Sequence, residues 1–351
     1  MTALKDILLR QIRAEGPISV AAYMSHCLLH PDHGYYTTRA PFGAGGDFVT
    51  APEISQIYGE LLGLALAQSW LDQGAPRPFT LAEFGPGRGT MMADVLRVTK
   101  GVPGFHAGMQ LVLLEASARL QAAQKATLAG YAPRWIASAQ DLPEQPLLLL
   151  ANEFFDALPV YQFERGTKGW HERQIGIRDG DLGFVLAAPQ PPDAFDPRFA
   201  LDPVGTIIEV CPTAAPPIEA AAGRIARQGG LALIADYGGW RSKGDTLQAL
   251  SNHAPTPPLK DPGAADLTAH VDFEALVRFA RLPHAYAPQG RVLQALGIEA
   301  RAQVLAGRLS GAALDNHLAA ARRLTAPDEM GELFKILALF PPAAPKPPGF
   351  A

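Results

Sequence analysis

The sequence predicts an α/β protein built on a mainly parallel, doubly wound sheet, with an N-terminal helical cap and an inserted β-hairpin. Three observations carry this expectation. The apolar run Phe79 to Phe84 stops at Gly85, Gly87 and Gly89, and Met91-Met92-Ala93-Asp94-Val95-Leu96 follows at helical spacing, which reads as strand, glycine turn, helix. Downstream, strand-length apolar runs alternate with helical patterns, as βαβ crossovers require. One of those runs, Pro146-Leu147-Leu148-Leu149-Leu150-Ala151, is uninterrupted enough to be buried on both faces.

Residues 1 to about 30 read as two helices, the first with Leu4, Ile7, Leu8 and Ile12 on one face, the second opening after Gly16-Pro17-Ile18-Ser19. From His30 to Glu53 the chain is too rich in glycine, proline and aromatic residues for regular structure, and loops of that length are often functional. Ile54 to Gln73 reads as one long helix. Gln110 to Leu114 is the second strand, Ser117 opens a helix reaching Leu128, Arg134 to Ile136 is the third strand, and the Pro146 run is the fourth. Alternating patterns in Tyr161–Arg165 and Trp170–Ile177, separated by glycines, predict the inserted hairpin, closed by a proline-rich loop over 189–203. The sheet is expected to resume with Thr206 to Val210, followed by a helix over 213–228 and the strand Leu231 to Ala235. A proline-rich connection spans 253–267, helices are expected over 272–280, 292–306 and 312–324, and Leu333 to Leu339 reads as the last strand. The proline-rich tail, 341–351, is expected to be disordered. Domain boundaries therefore fall near 75 and 340: a cap and loop over 1–75, a ligand-binding domain over 76–340 with insertions at about 160–205 and 241–290, and the tail.

Composition narrows the functional classes. Of 351 residues, 48% are hydrophobic and 18% charged, enough apolar material for a sizeable core and the opposite of a disordered chain. A net charge of -4 argues against a general nucleic-acid binder. Cys27 and Cys211 are far apart and form no C-x-x-C pair, so neither a disulfide framework nor a zinc site is expected, and a reducing compartment suits them. Lys5, Asp6 and Arg10 interrupt the apolar residues of the N-terminal segment, unlike a signal peptide, and no uncharged apolar run approaches the roughly 18 residues of a membrane span. Cytoplasm is the expected location. His30 and His33 have no third ligand at a helpful spacing, so no metal is expected.

The chemistry gathers at the ends of the parallel strands. Glycine lets the backbone take positive φ and pass close to a ligand, and a helix that follows offers unpaired N–H groups to the polar part of a nucleotide-like cofactor. A dinucleotide fingerprint needs G-x-G-x-x-G/A, whereas here the third glycine arrives one residue early and Thr90 takes the expected slot, which disfavours NAD. Glu83, two residues before the first glycine, suits a different ligand, because a carboxylate there can answer the ammonium group of the methionine part of S-adenosylmethionine. The pattern Glu83-x-Gly85-x-Gly87-x-Gly89 resembles the first motif of class I methyltransferases. A purely structural glycine turn is the alternative.

Glu115, closing the second strand, is placed for a ribose diol or, alternatively, for the N-terminal end of the next helix. Asp141 with Leu142 could take an adenine, the carboxylate on the exocyclic amine and the leucine on the ring, or could be a surface turn. In an open α/β sheet the ligand crevice lies beyond the carboxyl ends of the strands, so Asn152-Glu153-Phe154-Phe155-Asp156 should face the glycine turn. Asn152 and Asp156 could instead cap a helix. Asp236-Tyr237 ends another strand and is a candidate for the crevice rim.

With these pieces placed, the chain resembles the MidA family, whose mitochondrial members are protein arginine methyltransferases needed for respiratory complex I assembly. The carrying motifs are His30-Pro31 with Gly34-Tyr35-Tyr36, Gly46-Asp47-Phe48-Val49-Thr50-Ala51-Pro52-Glu53, the Glu83–Gly89 turn, Asn152-Glu153-Phe154-Phe155-Asp156-Ala157-Leu158-Pro159, Thr268-Ala269-His270-Val271-Asp272-Phe273, and Gln289-Gly290 with Leu296-Gly297-Ile298. The resemblance implies a class I, Rossmann-like methyltransferase fold with a seven-stranded sheet. It also implies S-adenosylmethionine as cofactor, S-adenosylhomocysteine as product, and symmetric dimethylation of an arginine on a complex I subunit. A guanidinium is permanently charged and poorly nucleophilic, so methyl transfer needs a carboxylate to hold and orient it. Glu153 is expected to be that carboxylate, with Asn152 and Asp156 orienting it and adding a contact, while Asp47, Thr50 and Glu53 close over the site. The expected partner is a protein substrate, without nucleic acid or a membrane span, and a homodimer is compatible with the sequence. Two rival readings remain open: a non-catalytic assembly factor that keeps the cofactor pocket, and a small-molecule methyltransferase.

Overall fold

The apolar run before the glycines forms β1 (Phe79–Phe84), buried along its whole length at the middle of a mixed sheet. The structure is a computed structural model and describes residues 2–38, 50–251 and 254–350. Two units are distinguished. Residues 49–155, 215–240 and 272–351 make one, and residues 1–48, 156–214 and 241–271 make the other. The chain thus crosses between units several times.

In the first unit the order of hydrogen-bonded strands is β6-β7-β5-β4-β1-β2-β3, where β2 is Met109–Leu114, β3 Arg134–Ile136, β4 Leu147–Asn152, β5 Gly230–Gly239, β6 His284–Pro288 and β7 Phe334–Leu339. Pairs β1/β2, β2/β3, β1/β4 and β4/β5 are parallel, and β7 is antiparallel to both its neighbours. Eight strands are counted in this sheet among the described residues, where seven were expected. The strand order reverses beside β1, so the carboxyl ends of β1 and β4 flank the switch point where ligands bind in open α/β sheets. Helices Gln56–Asp72, Thr90–Thr99 and Ala215–Gln228 bury their apolar faces in this unit.

Several elements differ from the sequence expectation. The helix expected over 54–73 breaks at Ser55, which ends the short helix Ala51–Ile54 and N-caps Gln56–Asp72 through its hydroxyl. The helix expected over 292–306 is two, Gln289–Ala295 and Ile298–Ala306, because Gly297 takes φ +88° between them. Strand β6, bounded by Pro283 and Pro288, is too short to carry a periodic signal and was not anticipated. The tail is not disordered: Phe350 is buried in the apolar core of this unit, and Gly349 lies against Val292 and Leu296.

In the second unit, helices Ala3–Glu15 and Val20–Leu29 accompany a five-stranded antiparallel sheet. Its order is Ile18–Ser19, Trp170–Arg178, Tyr161–Arg165, Ile207–Val210, with Asp181–Gln190 also paired to Trp170–Arg178. The inserted hairpin is therefore a three-stranded meander within a larger sheet. Residues 206–210 do not resume the parallel sheet: Ile207–Val210 pairs antiparallel with Tyr161–Arg165, and the Glu209 carboxylate accepts hydrogen bonds from Gln162 (2.7 Å) and the Thr246 amide (3.1 Å). The connection over 253–267 contributes to a three-stranded sheet of Gln248–Ser251, Ala254–Thr256 and Asp266–Thr268. Among the described residues no helix is long and apolar enough to cross a membrane.

Candidate cofactor and substrate site

The glycine turn is built by backbone conformation. Gly85, Gly87 and Gly89 all adopt positive φ (64°, 52° and 83°), the region where an L side chain is strained. Gly89 then stands as N-cap of helix Thr90–Thr99 with no side chain capping it, which leaves the first N–H groups of that helix available to a ligand. A Cβ on Gly85 would stand 3.0 Å from Cδ2 of Phe154, so only glycine lets the segment after β4 pack this closely on the turn.

Glu83 is the penultimate residue of β1, between Leu113 of β2 and Leu150 of β4. Strands on both sides exclude water, and its Oε2 has no hydrogen-bond partner among the described residues. Burial raises its carboxyl to about 8. A buried acid without a partner is costly. A cationic group seated beyond the strand would satisfy it, which is the property required of a residue answering an ammonium.

Glu115 sits at the N-terminal end of the next helix, the second of the two places expected for it. Its Oε1 accepts from the Ser117 amide (2.8 Å), at the start of helix Ala118–Thr127, and its Oε2 accepts from Nε2 of Gln124 (3.3 Å). Burial raises its pKa, opposed by those hydrogen bonds. Each carboxylate oxygen has two lone pairs, so Glu115 keeps capacity for a hydroxyl donor. Gln124, which sequence reasoning missed, ties the acid to the turn: its Nε2 also donates to the Gly87 carbonyl (2.8 Å) and its Oε1 accepts from Nε1 of Trp135 (2.7 Å). Its only sequence signal is a polar residue on a buried helix face, indistinguishable there from a surface glutamine. Leu142 is buried, whereas Asp141 is exposed and its carbonyl accepts from Arg134 (3.1 Å).

Beyond β4 the chain forms no helix, so Asn152 and Asp156 are not N-caps. Asn152 is the last residue of β4, and Glu153 follows at φ +50°, a conformation rare outside glycine and concentrated at functional sites. Its amide donates to Ala235 of β5 (2.9 Å), and the Phe155 amide donates to Oδ2 of Asp236 (3.0 Å), stapling the segment to the neighbouring strand. Nδ2 of Asn152 donates to Oε1 of Glu153 (2.9 Å), and the hydroxyl of Tyr58 donates to Oδ1 of Asn152 (2.7 Å). Tyr58 is a second residue that sequence reasoning missed.

Asp236 and Tyr237 lie within β5, Asp236 fully buried and Tyr237 edge-on against Phe334. Glu53 does not sit in a loose loop. It lies on Ala51–Ile54, where its carboxylate accepts from the Thr90 hydroxyl (2.7 Å) and pairs with Arg88 (3.3 Å), beside the glycine turn. Thr50 is the N-cap residue of that helix, without a side-chain capping bond. Asp156 belongs to the other unit, where it and Asp266, after burial itself, push the Tyr36 hydroxyl well above its ordinary pKa. Asp47 lies outside the described residues.

Comparisons with known proteins agree with this geometry. A family model described as "Putative S-adenosyl-L-methionine-dependent methyltransferase" matches residues 61–290. The chain is 38% identical to protein arginine methyltransferase NDUFAF7 of Mus musculus, over 97% of this chain and 85% of that protein. It is 37% identical to the Homo sapiens protein of the same name, covering 97% and 84%. Among solved structures it is similar to a "likely methyl transferase" from Burkholderia thailandensis bound to S-adenosyl-homocysteine, with TM-score 0.78, 30% identity, and coverage of 99% of this chain and 92% of that one. The strand order, the glycine turn beside the buried Glu83, and these matches have one reading: the chain belongs to the S-adenosyl-L-methionine-dependent methyltransferase family.

Proposed function

We propose that this chain methylates a guanidinium nitrogen of an arginine on a protein substrate, with Glu153 as the carboxylate that holds the guanidinium. The observation that carries the reading is the placement of Glu153 at the carboxyl end of β4, at positive φ, while its neighbour Phe154 packs on Gly85 of the glycine turn. The cofactor supplies an electrophilic methyl group on a sulfonium. Glu83 answers its ammonium, the open N-terminus of helix Thr90–Thr99 and the glycine backbone take its polar atoms, Glu115 takes the ribose hydroxyls, and Leu142 with Asp141 takes the adenine.

Glu153 accepts hydrogen bonds from the planar guanidinium, turns one nitrogen toward the methyl donor and offsets the substrate's charge. Asn152 orients that carboxylate. Thr50, Glu53, Asp236 and Tyr237 shape the surroundings. The relatives named protein arginine methyltransferase support arginine as the acceptor. Symmetric dimethylation and a complex I subunit as substrate follow from the family resemblance and belong to the same proposal. So does the cytoplasmic location, which rests on two separated thiols; the relatives are named mitochondrial.

The test is transfer of a labelled methyl group from S-adenosylmethionine into proteins of a lysate lacking this chain, with mass spectrometry of the modified band. Methylated arginine is expected. Glu153→Gln should lower the rate by about 100-fold or more while S-adenosylhomocysteine still binds. Label on another residue type, or full activity in that variant, would overturn the assignment.

A further inference from the structure

We propose that Tyr58 is a positioning residue for Glu153, acting through the side-chain amide of Asn152. The inference rests on the reading of Glu153 given above and extends it one shell outward.

The hydrogen-bond polarity of the chain of three groups is determined. A phenol is the donor to Oδ1 of Asn152, since that oxygen can only accept, and the amide nitrogen is thereby left to donate to Oε1 of Glu153. With the amide turned over, its oxygen would face the carboxylate oxygen and repel it. The carboxylate thus fixes the amide orientation, and the Tyr58 hydroxyl, by donating to Oδ1, holds the amide in it. The phenol remains a donor throughout the working pH range, because burial first, then Glu153 and Asp236, push it well above its ordinary pKa.

Tyr58 is itself held rigidly. It is fully buried, on helix Gln56–Asp72, which packs so closely on helix Thr90–Thr99 that a Cβ on the adjacent Gly59 would meet Cβ of Asp94 at 2.8 Å. One half-turn on, the buried Glu60 carboxylate is gripped by Arg301 (2.6 and 3.0 Å) and paired with Arg97. The helix that begins at the glycine turn and the helix that carries Tyr58 are thus locked together, so the hydroxyl is presented to Asn152 from a fixed frame. A loosened Glu153 would still meet an arginine, but less often in line for transfer, and the loss should appear in turnover more than in substrate affinity.

The experiment compares Tyr58→Phe, Glu153→Gln and the double variant, using labelled S-adenosylmethionine and increasing amounts of lysate protein from cells lacking this chain. Rates are normalised to the measured S-adenosylhomocysteine stoichiometry, so that unfolded molecules do not count. Tyr58→Phe should lower the limiting rate by about 10- to 50-fold, with half-saturation within about threefold of the parent. In the Glu153→Gln background the same change should alter the rate by less than about twofold, since coupled residues are not additive. Phe105→Leu, a core change packed against Trp70 and Phe79, is the stability control and should keep the parent limiting rate. A full rate in Tyr58→Phe with an inactive Glu153→Gln would overturn this inference alone. An undiminished effect of Tyr58→Phe in the double variant would likewise show that it does not act through Glu153. A full rate in Glu153→Gln would overturn the reading of Glu153 itself.

Discussion

Replacing Glu83 by glutamine separates the cost of this site from its use. Strands β2 and β4 flank Glu83, and burial raises its carboxyl to about 8. An unfolded glutamate titrates near about 4.3. The usual sign is therefore reversed: the unfolded chain gives up its proton first, so stability of the cofactor-free protein falls as pH rises from about 4.5 to about 8, then levels off. By pH 7 the deficit is about 4 kcal/mol, and Glu83→Gln should recover much of it. Binding should act the other way. At pH 7 a group with pKa about 8 is about nine-tenths protonated, and it must ionise to answer an ammonium, so binding S-adenosylhomocysteine should release close to one proton. Affinity should rise up to tenfold per pH unit below about 8 and fade above it, where an α-ammonium itself deprotonates. Calorimetric titration in two buffers of different ionisation enthalpy reads the proton count directly. Glu83→Gln should show no release, bind about 10- to 100-fold more weakly, and unfold at a higher temperature without ligand. A proton count near zero for the parent protein, or the same count in the variant, would refute the reasoning.

Other outcomes follow from the same packing. Gly85→Ala places a side chain at φ +64° and 3.0 Å from Phe154, and should cost about 1–2 kcal/mol in denaturant unfolding while weakening S-adenosylhomocysteine binding in calorimetry. For Glu60, burial raises the pKa but the hydrogen bonds and charges of Arg301 and Arg97 outweigh it and hold the carboxyl below its ordinary value. Its contribution is thus present above about pH 4.3 and lost as pH falls through the depressed value, and Glu60→Gln, leaving two arginines underpaired, should lose about 2–4 kcal/mol at pH 7 by urea denaturation and flatten the acid limb of stability. Phe350→Ala should lower stability by about 2–4 kcal/mol by thermal melting, whereas a disordered tail would tolerate it without change.

The divide between sequence and structure runs along the range of the interaction. Much of what neighbours within a few residues govern was legible: the period of most helices, the buried runs of β1 and β4, the glycines whose positive φ builds the turn, and Glu83 at its motif spacing, though not the helix breaks at Ser55 and Gly297. What pairs with what was not. Thr206 to Val210 has the same apolar look as a strand of the parallel sheet, and only its partner Tyr161–Arg165, with Gln162 and Thr246 on Glu209, places it elsewhere. The tail's prolines describe a chain that cannot form a helix, but they are silent about whether Phe350 finds a core. Tyr58 and Gln124 were invisible as site residues because a polar atom on a helix acquires its role from an acceptor many residues away, here Asn152 and Gly87. Local conformational preference is written residue by residue, whereas burial and hydrogen-bond partnership exist only once distant strands are side by side. For that reason the sequence by itself determined the cofactor turn and the class of fold, and the tertiary structure alone decided that Oε2 of Glu83 is buried without a hydrogen-bond partner among the described residues and that Glu153 is held by Asn152.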